Sequence, residues 1–410
     1  MRMVGTGLAA VALAWTAPAA AQGQCPWQPV WASSQMAPDT ANALPADSLS
    51  DASLRQIVRV SQGGDRVRVR LSNAFGRDPL VIRGASIARA AASDRADIAG
   101  AIVPLTFAGR PDAVVPAGAD WLSDPAALPV AAFADVAITL HIARDPNGQT
   151  GHPGSRATSY LARGDATRTR TMTGATTVDR WYMLSGVETQ DCGHRGAVAV
   201  LGDSITDGRG STTNRNDRWT DFLARRLAGD RATRGLAVLN QGIGGNRVLA
   251  DGLGPNAMAR LERDVLAQPG VRHLIVLEGI NDIGTLTREK PATPAQHAAL
   301  VAQVTGAYAQ IVARARVHGI RVYGATILPF MGTDYYHPDA ANEADRQAIN
   351  AWIRAPGNFD GVIDLDQAMR DPARPAWLNP RYDSGDRLHP SPDGFRAMAN
   401  AVPLSLFTAK

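Results

Sequence analysis

From residue 197 onward, short apolar runs of strand length recur between longer stretches with helical spacing, and this alternation limits the fold more than any other feature of the chain. The runs lie near 197–201, 237–240, 273–277, 321–328 and 362–365, and the longest helical stretch, 294–318, separates the third from the fourth. The run Ala197-Val198-Ala199-Val200-Leu201 has no polar alternation, as expected of a strand covered on both faces. Strands joined through helices run parallel, and right-handed crossovers place those helices on both sides of the sheet. The expected architecture here is a three-layer α/β/α sandwich.

Upstream the pattern changes. Residues 66–71 and 136–142 alternate apolar with polar side chains, the mark of strands with one buried face. The turn residues Gln62-Gly63-Gly64-Asp65, lying between 55–60 and 66–71, suggest a hairpin. Long connections bearing Pro and Gly suggest an all-β sandwich of jelly-roll type over 22–193, with the α/β region spanning 194–410. Arg66, Arg68 and Arg70 form a row on one such strand, read as a solvated face, with a binding surface for acidic sugars as the alternative.

Arg2, the apolar stretch 4–15 and the small residues 16–21 follow the order of a secretory signal, so cleavage is expected after about Ala21. That stretch is well short of the roughly 20 residues that span a bilayer, and no later one is long and apolar enough. Export into an oxidising compartment would let the two cysteines, Cys25 and Cys192, pair and tie the mature N-terminus to the interdomain junction. Two free thiols are the alternative, because sequence separation does not fix Cα distances. The 42 basic and 38 acidic residues are dispersed without a Lys/Arg block or nucleic-acid motif, so the net charge of +4 gives no reason to expect a nucleic-acid partner. His141, His152, His194, His273, His297 and His318 have no ligand spacing, so no metal is expected.

The chemistry-bearing segments are Gly202-Asp203-Ser204-Ile205-Thr206, at a strand-to-helix turn, and Asp386-Arg387-Leu388-His389-Pro390. A serine hydroxyl becomes a useful nucleophile when a histidine takes its proton and a carboxylate fixes that histidine's tautomer. The carboxyl ends of parallel strands open into the crevice where such groups can meet. Gly-Asp-Ser alone reads equally as a polar turn, and the chain offers a second Asp-x-x-His-Pro, at Asp334 to Pro338. His389 is preferred as base because it precedes the last helical segment, whereas His337 sits in a long Tyr-rich loop as a substrate-contacting or exposed residue.

Taken together, Gly202-Asp203-Ser204, Asn240 through Asn246, Gly279-Ile280-Asn281-Asp282 and Asp386-x-x-His389 resemble the four blocks that name the SGNH (GDSL-type) hydrolase family, over roughly residues 195–410. The resemblance implies a flavodoxin-like strand order and no cofactor. It implies Ser204 as nucleophile, His389 as base and then acid, and Asp386 as its orienting carboxylate. The Ser204 and Gly245 N–H groups and the Asn281 amide would form the oxyanion hole. Substrate contacts are expected from Asp203, Asn246, Arg247, His337 and Tyr335. Family members act on acetylated sugars, aryl esters and lipids. A β-sandwich before such a hydrolase is similar to secreted carbohydrate esterases, so the expected partner is an acylated carbohydrate. A lipase- or lysophospholipase-like activity, an aryl esterase, and a secreted carbohydrate-binding protein with an inactive hydrolase half are the alternatives.

Overall fold

The computed structural model describes residues 25–408, so the expected leader at 1–21 lies outside the described residues. Five parallel strands form the central sheet: β1 (Gly196–Gly202), β2 (Leu236–Gly242), β3 (Val271–Leu277), β4 (Arg321–Ala325) and β5 (Gly361–Ile363). Their spatial order is β2-β1-β3-β4-β5, the flavodoxin-like order. Every residue of β1 is buried, which its unbroken apolar run required. The fourth strand stops short of Leu328, because after the Thr326 N–H, which donates to the Ile363 carbonyl, the chain leaves the ladder and the Ile327 N–H donates to the Asn350 side chain at 2.7 Å.

The helices are α1 (Ser204–Asp207), α2 (Trp219–Gly229), α3 (Ala257–Leu261), α4 (Ile280–Thr287), α5 (Pro294–Val317), α6 (Ala340–Arg354), α7 (Leu365–Met369) and α8 (Pro392–Ala401). α5 opens with a capping box: Thr293 accepts from the Gln296 N–H while the Gln296 side chain accepts from the Thr293 N–H, with Pro294 in the first turn. Among the described residues no helix is long and apolar enough to cross a membrane.

The N-terminal half is antiparallel. One sheet runs Trp27–Ala32, Leu184–Gln190, Arg66–Ser72 and Asp120–Leu122 in spatial order. The other runs Thr176–Val178, Ser159–Arg163, Ala52–Arg59, Asp135–Ile142, Leu80–Ala90 and Ile98–Leu105, with Ala113–Val115 also pairing Leu80–Ala90. The expected hairpin around Gln62 to Asp65 does not form, since its two strands lie in different sheets. The fully buried Arg55 fixes the first strand to the larger sheet, donating to Thr139 Oγ1 and to the carbonyls of Ala96, Ala166 and Thr169. The arginine row is likewise not a free face: Arg68 and Arg70 each donate to the buried Glu188 carboxylate at 2.7 Å, and Arg68 stacks over Trp27.

The two halves share one apolar core that includes Val30, Trp31, Leu236 and Leu239. β2 is an edge strand, and an open edge invites unwanted pairing. Here the N-terminal half caps it: Ser61 Oγ accepts from the Val238 N–H at 3.1 Å, Gln62 donates to the Leu236 carbonyl at 3.0 Å, and Ser34 donates to Gln241 at 2.8 Å. Cys25 and Cys192 are joined in a disulfide, with Cα atoms 4.6 Å apart and 167 residues between them in sequence. Closing so long a loop restricts the unfolded chain, so Cys25→Ser with Cys192→Ser is expected to lower unfolding stability by about 3–5 kcal/mol in urea titrations.

Candidate active site

The site is built where β1 and β2 end. A Cβ on Gly202 would overlap Thr206 Oγ1, and one on Gly242 would overlap the Asp207 backbone, so glycine at both positions lets α1 seat on the strand ends. Asp203 is the N-cap of α1, its carboxylate accepting from the Ile205 N–H at 2.8 Å, and this places Ser204 as the first helical residue. Gly208, at φ 104°, ends the helix after one turn.

Asp386 and His389 come from the loop before α8. Asp386 Oδ1 accepts the N–H groups of Leu388 at 3.0 Å and His389 at 2.8 Å, while Oδ2 accepts from His389 Nδ1 at 2.6 Å. With its hydrogen committed at Nδ1, the neutral ring offers a lone pair at Nε2, which lies 2.8 Å from Ser204 Oγ and accepts from it. Partial burial alone would raise the Asp386 pKa. The hydrogen bond and charge of His389, with the two backbone N–H groups, outweigh burial and hold it well below the usual carboxylate range.

Gly245, at φ 70°, and Asn281, in the first turn of α4, line the same cleft as Ser204 and His389. Asn281 Nδ2 donates to the Asn246 carbonyl at 2.7 Å, and Asn281 Oδ1 accepts from the Tyr336 hydroxyl at 2.5 Å. A carbonyl only accepts, so this pair of contacts fixes which end of the amide is nitrogen and leaves one N–H uncommitted. Burial pushes the Tyr336 pKa far up, so its hydroxyl remains a donor.

The cleft has a volume of about 670 Å³. Its apolar lining comprises Met36, Pro153, Ile243, Leu253 and Leu388 around the glycines, while Asn42, Arg156, Arg209, Thr333, Asp334 and Tyr335 bring polar groups to the wall. Part of that wall belongs to the N-terminal half. His152 Nε2 meets Asp207 Oδ1 at 2.9 Å, one turn along α1 from Ser204, and His152 Nδ1 donates to the Ser34 carbonyl at 2.8 Å. A Cβ on Gly154 would overlap the Asp207 carboxylate, so this segment packs directly on α1.

Of the five residues expected to contact substrate, Tyr335 lines the cleft and the other four do not. Asp203 is 1% exposed and spent on its cap. Asn246 is also 1% exposed, donating to the Pro255 carbonyl and accepting from Arg260. Arg247 folds back onto the Asp251 carbonyl. His337 is exposed with φ 49°, and it lies outside the cleft lining. Conversely, sequence reading passed over His152, Arg156, Asp207 and Arg209. Only Asp207 and Arg209 carried a local signal, their closeness to Ser204 on and just after a one-turn helix.

Beneath the site, Asp203 and Glu278 are buried beside Arg260, and Asp282, whose carboxylate accepts from the Val248 and Leu249 N–H groups, is buried near both. Burial is the main cause that pushes Asp203 up to about 7 and Asp282 up to about 6, and it raises Glu278 as well. Between its ordinary value of 3.8 and about 7, the folded chain holds the Asp203 proton while the unfolded chain releases it, so this group lowers stability as pH rises through that window. Asp203→Asn keeps an N-cap acceptor and removes the proton. Its Tm relative to the parent is expected to climb across that window and level off above it, as thermal melts at several pH values would record.

Residues 200–397 match the model of the GDSL-like Lipase/Acylhydrolase family. None of the curated proteins matches the sequence. Among solved structures, a putative lipolytic protein of the G-D-S-L family from Desulfitobacterium hafniense is similar at 18% identity, covering 52% of this chain and 99% of its own, with a TM-score of 0.38. An acetylxylan esterase from Geobacillus stearothermophilus is similar at 21% identity, covering 53% and 96%, with a TM-score of 0.39. A GDSL-like lipase from Bacteroides thetaiotaomicron is similar at 20% identity, covering 53% and 90%, also with a TM-score of 0.39.

Proposed function

Residues 200–397 belong to the GDSL-like lipase/acylhydrolase family, which makes the chain a carboxylic ester hydrolase, and from that premise we propose a secreted serine esterase that removes short acyl groups, acetyl foremost, from carbohydrate. The observation that carries the reading is the unbroken relay of Ser204 Oγ, His389 and Asp386, at 2.8 and 2.6 Å, in the wall of a cleft shared with Gly245 and Asn281.

In the first step Ser204 Oγ bonds to the ester carbonyl carbon as its proton passes to His389 Nε2. The carbonyl oxygen becomes an oxyanion facing the Ser204 and Gly245 N–H groups and the uncommitted Asn281 N–H. The C–O bond to the alcohol then breaks, and the alcohol leaves with the proton from His389. In the second step water gives a proton to His389 and attacks the acyl carbon. Collapse releases the carboxylic acid and returns the proton to Ser204. Asp386, kept ionised by its three donors, holds the ring in position and stabilises the imidazolium that forms in each half.

A short acyl group is supported by the lining, since its apolar side chains, Met36, Pro153, Ile243, Leu253 and Leu388, are interspersed with charged and polar ones that a long acyl chain would have to desolvate. The polar remainder and the exposed Tyr335 suit a sugar, whose hydroxyls need partners and whose ring faces stack on aromatics. The disulfide supports export, as such bonds persist in oxidising compartments. Hydrolysis of p-nitrophenyl esters of rising acyl length tests the acyl preference. Acetate or butyrate should give the highest kcat/KM, with a fall of about tenfold or more at octanoate. A maximum at octanoate or beyond would replace this reading with a lipase-like one.

A further inference from the structure

Arg156, at the mouth of the site, is a cation whose donors are not taken up, although the Asp207 and Asp179 carboxylates act on it through space. Its Nε is buried and unbonded, and its guanidinium forms no hydrogen bond or ion pair among the described residues. Native proteins seldom leave a buried donor unsatisfied, so such a group calls for a partner that arrives with a ligand. The position is also built: Arg156 stands at φ 47°, which a non-glycine residue adopts only when its surroundings impose it. Its carbonyl accepts from the Asn214 N–H at 2.9 Å, the Ser155 carbonyl accepts from Arg218, and the Thr158 N–H donates to Asn214 Oδ1 at 2.8 Å. Every one of those bonds ties the N-terminal half to the region just after α1.

Arg209 stands beside it on the same cleft, with its side chain 62% exposed and Nε 4.0 Å from Asp386 Oδ2. Asp386 offsets part of the pair's charge through Arg209, but its oxygens already accept from His389 and Leu388, so the two forks keep donors to offer a ligand. Arg156 and Arg209 also line a groove that continues from the cleft past Gly210, Ser211, Ser384 and Gly385. That groove lies on the His389 side. The leaving alcohol must face His389 Nε2 to take its proton, so the alcohol part of the substrate runs out past the two arginines.

We propose that Arg156 and Arg209 form a subsite for a carboxylate carried on the alcohol part of the ester, so that the enzyme selects acylated acidic sugars over neutral ones. Arginine's planar fork matches a carboxylate's two oxygens, and one fork comes from each half of the molecule. The inference rests on the esterase reading above and assigns the N-terminal half a part in choosing the substrate.

Acetate release from an acetylated methyl glucuronoside, compared with release from its neutral methyl ester, tests this directly, because the acetylated hydroxyl is the same in both. The parent enzyme should favour the free acid by about tenfold or more in kcat/KM. Arg156→Gln should bring that ratio close to one, and Arg156→Lys should restore part of it. Should Arg156→Gln fail to fold, the parent itself answers, since the preference should shrink as salt rises from about 0.01 M to about 1 M. A parent that releases acetate equally from both, or favours the methyl ester, overturns the subsite and leaves the esterase reading intact. A parent that releases none from either sugar and none from p-nitrophenyl acetate overturns both.

Discussion

Ser204→Ala and His389→Ala should each lower kcat on p-nitrophenyl acetate by about five to six orders of magnitude, and the double variant should lose no more than either single one. The size follows from the relay. Without Oγ there is no nucleophile to carry the acyl group, and without Nε2 the hydroxyl keeps its proton near pH 7 and remains a poor nucleophile. Non-additivity follows because the two groups act on one proton in one step, so removing either disables the same event. His337→Ala should leave kcat within about twofold, since that ring is exposed and outside the cleft. Asp386→Asn should cost about four orders of magnitude, as the amide would favour the wrong tautomer of His389. Initial rates across the series, with circular dichroism to confirm folding, check all five.

Asn281→Ala should lower kcat by about a hundredfold to a thousandfold while KM changes little. In the proposed mechanism the amide N–H meets the oxyanion as its charge develops, so its worth is realised in the transition state and not in substrate binding. Asn281→Asp should lose at least as much, because a carboxylate beside the oxyanion repels it. Tyr336→Phe offers a graded comparison. It removes the hydroxyl that donates to Asn281 Oδ1 at 2.5 Å but leaves the Asn281 bond to the Asn246 carbonyl, so a loss of about tenfold in kcat is expected. Tyr336 is thus a positioning residue, acting through Asn281. An unchanged kcat in Tyr336→Phe would mean that the Asn246 contact alone aims the amide.

The parallel half was legible because its strands are buried on both faces, and a run such as Ala197 to Leu201 leaves few other ways to fold. Ser204, Asp386 and His389 were legible because each sits in a short segment with its own turn chemistry. The hairpin at Gln62 to Asp65 was misread because period-two alternation says that a strand has an inner face but not which sheet it joins. The substrate contacts expected of Asp203 and Asn246 failed for a related reason. Neighbours of active residues in sequence are often the caps and struts that hold them, and both side chains point into the protein. Arg156 and His152 were invisible because their meeting with α1 depends on how the halves pack, and no local pattern in residues 152–156 encodes that contact.

The central claim is that Ser204 is the residue that becomes acylated, and a fluorophosphonate tests it most directly. Such a reagent loses fluoride to an activated serine and leaves a stable phosphonate ester on Oγ. Intact mass followed by peptide mapping should find one adduct per chain, on Ser204, formed together with the loss of esterase activity and absent from His389→Ala over the same interval. An adduct on another residue with activity lost, or activity lost with Ser204 unmodified, would contradict the account.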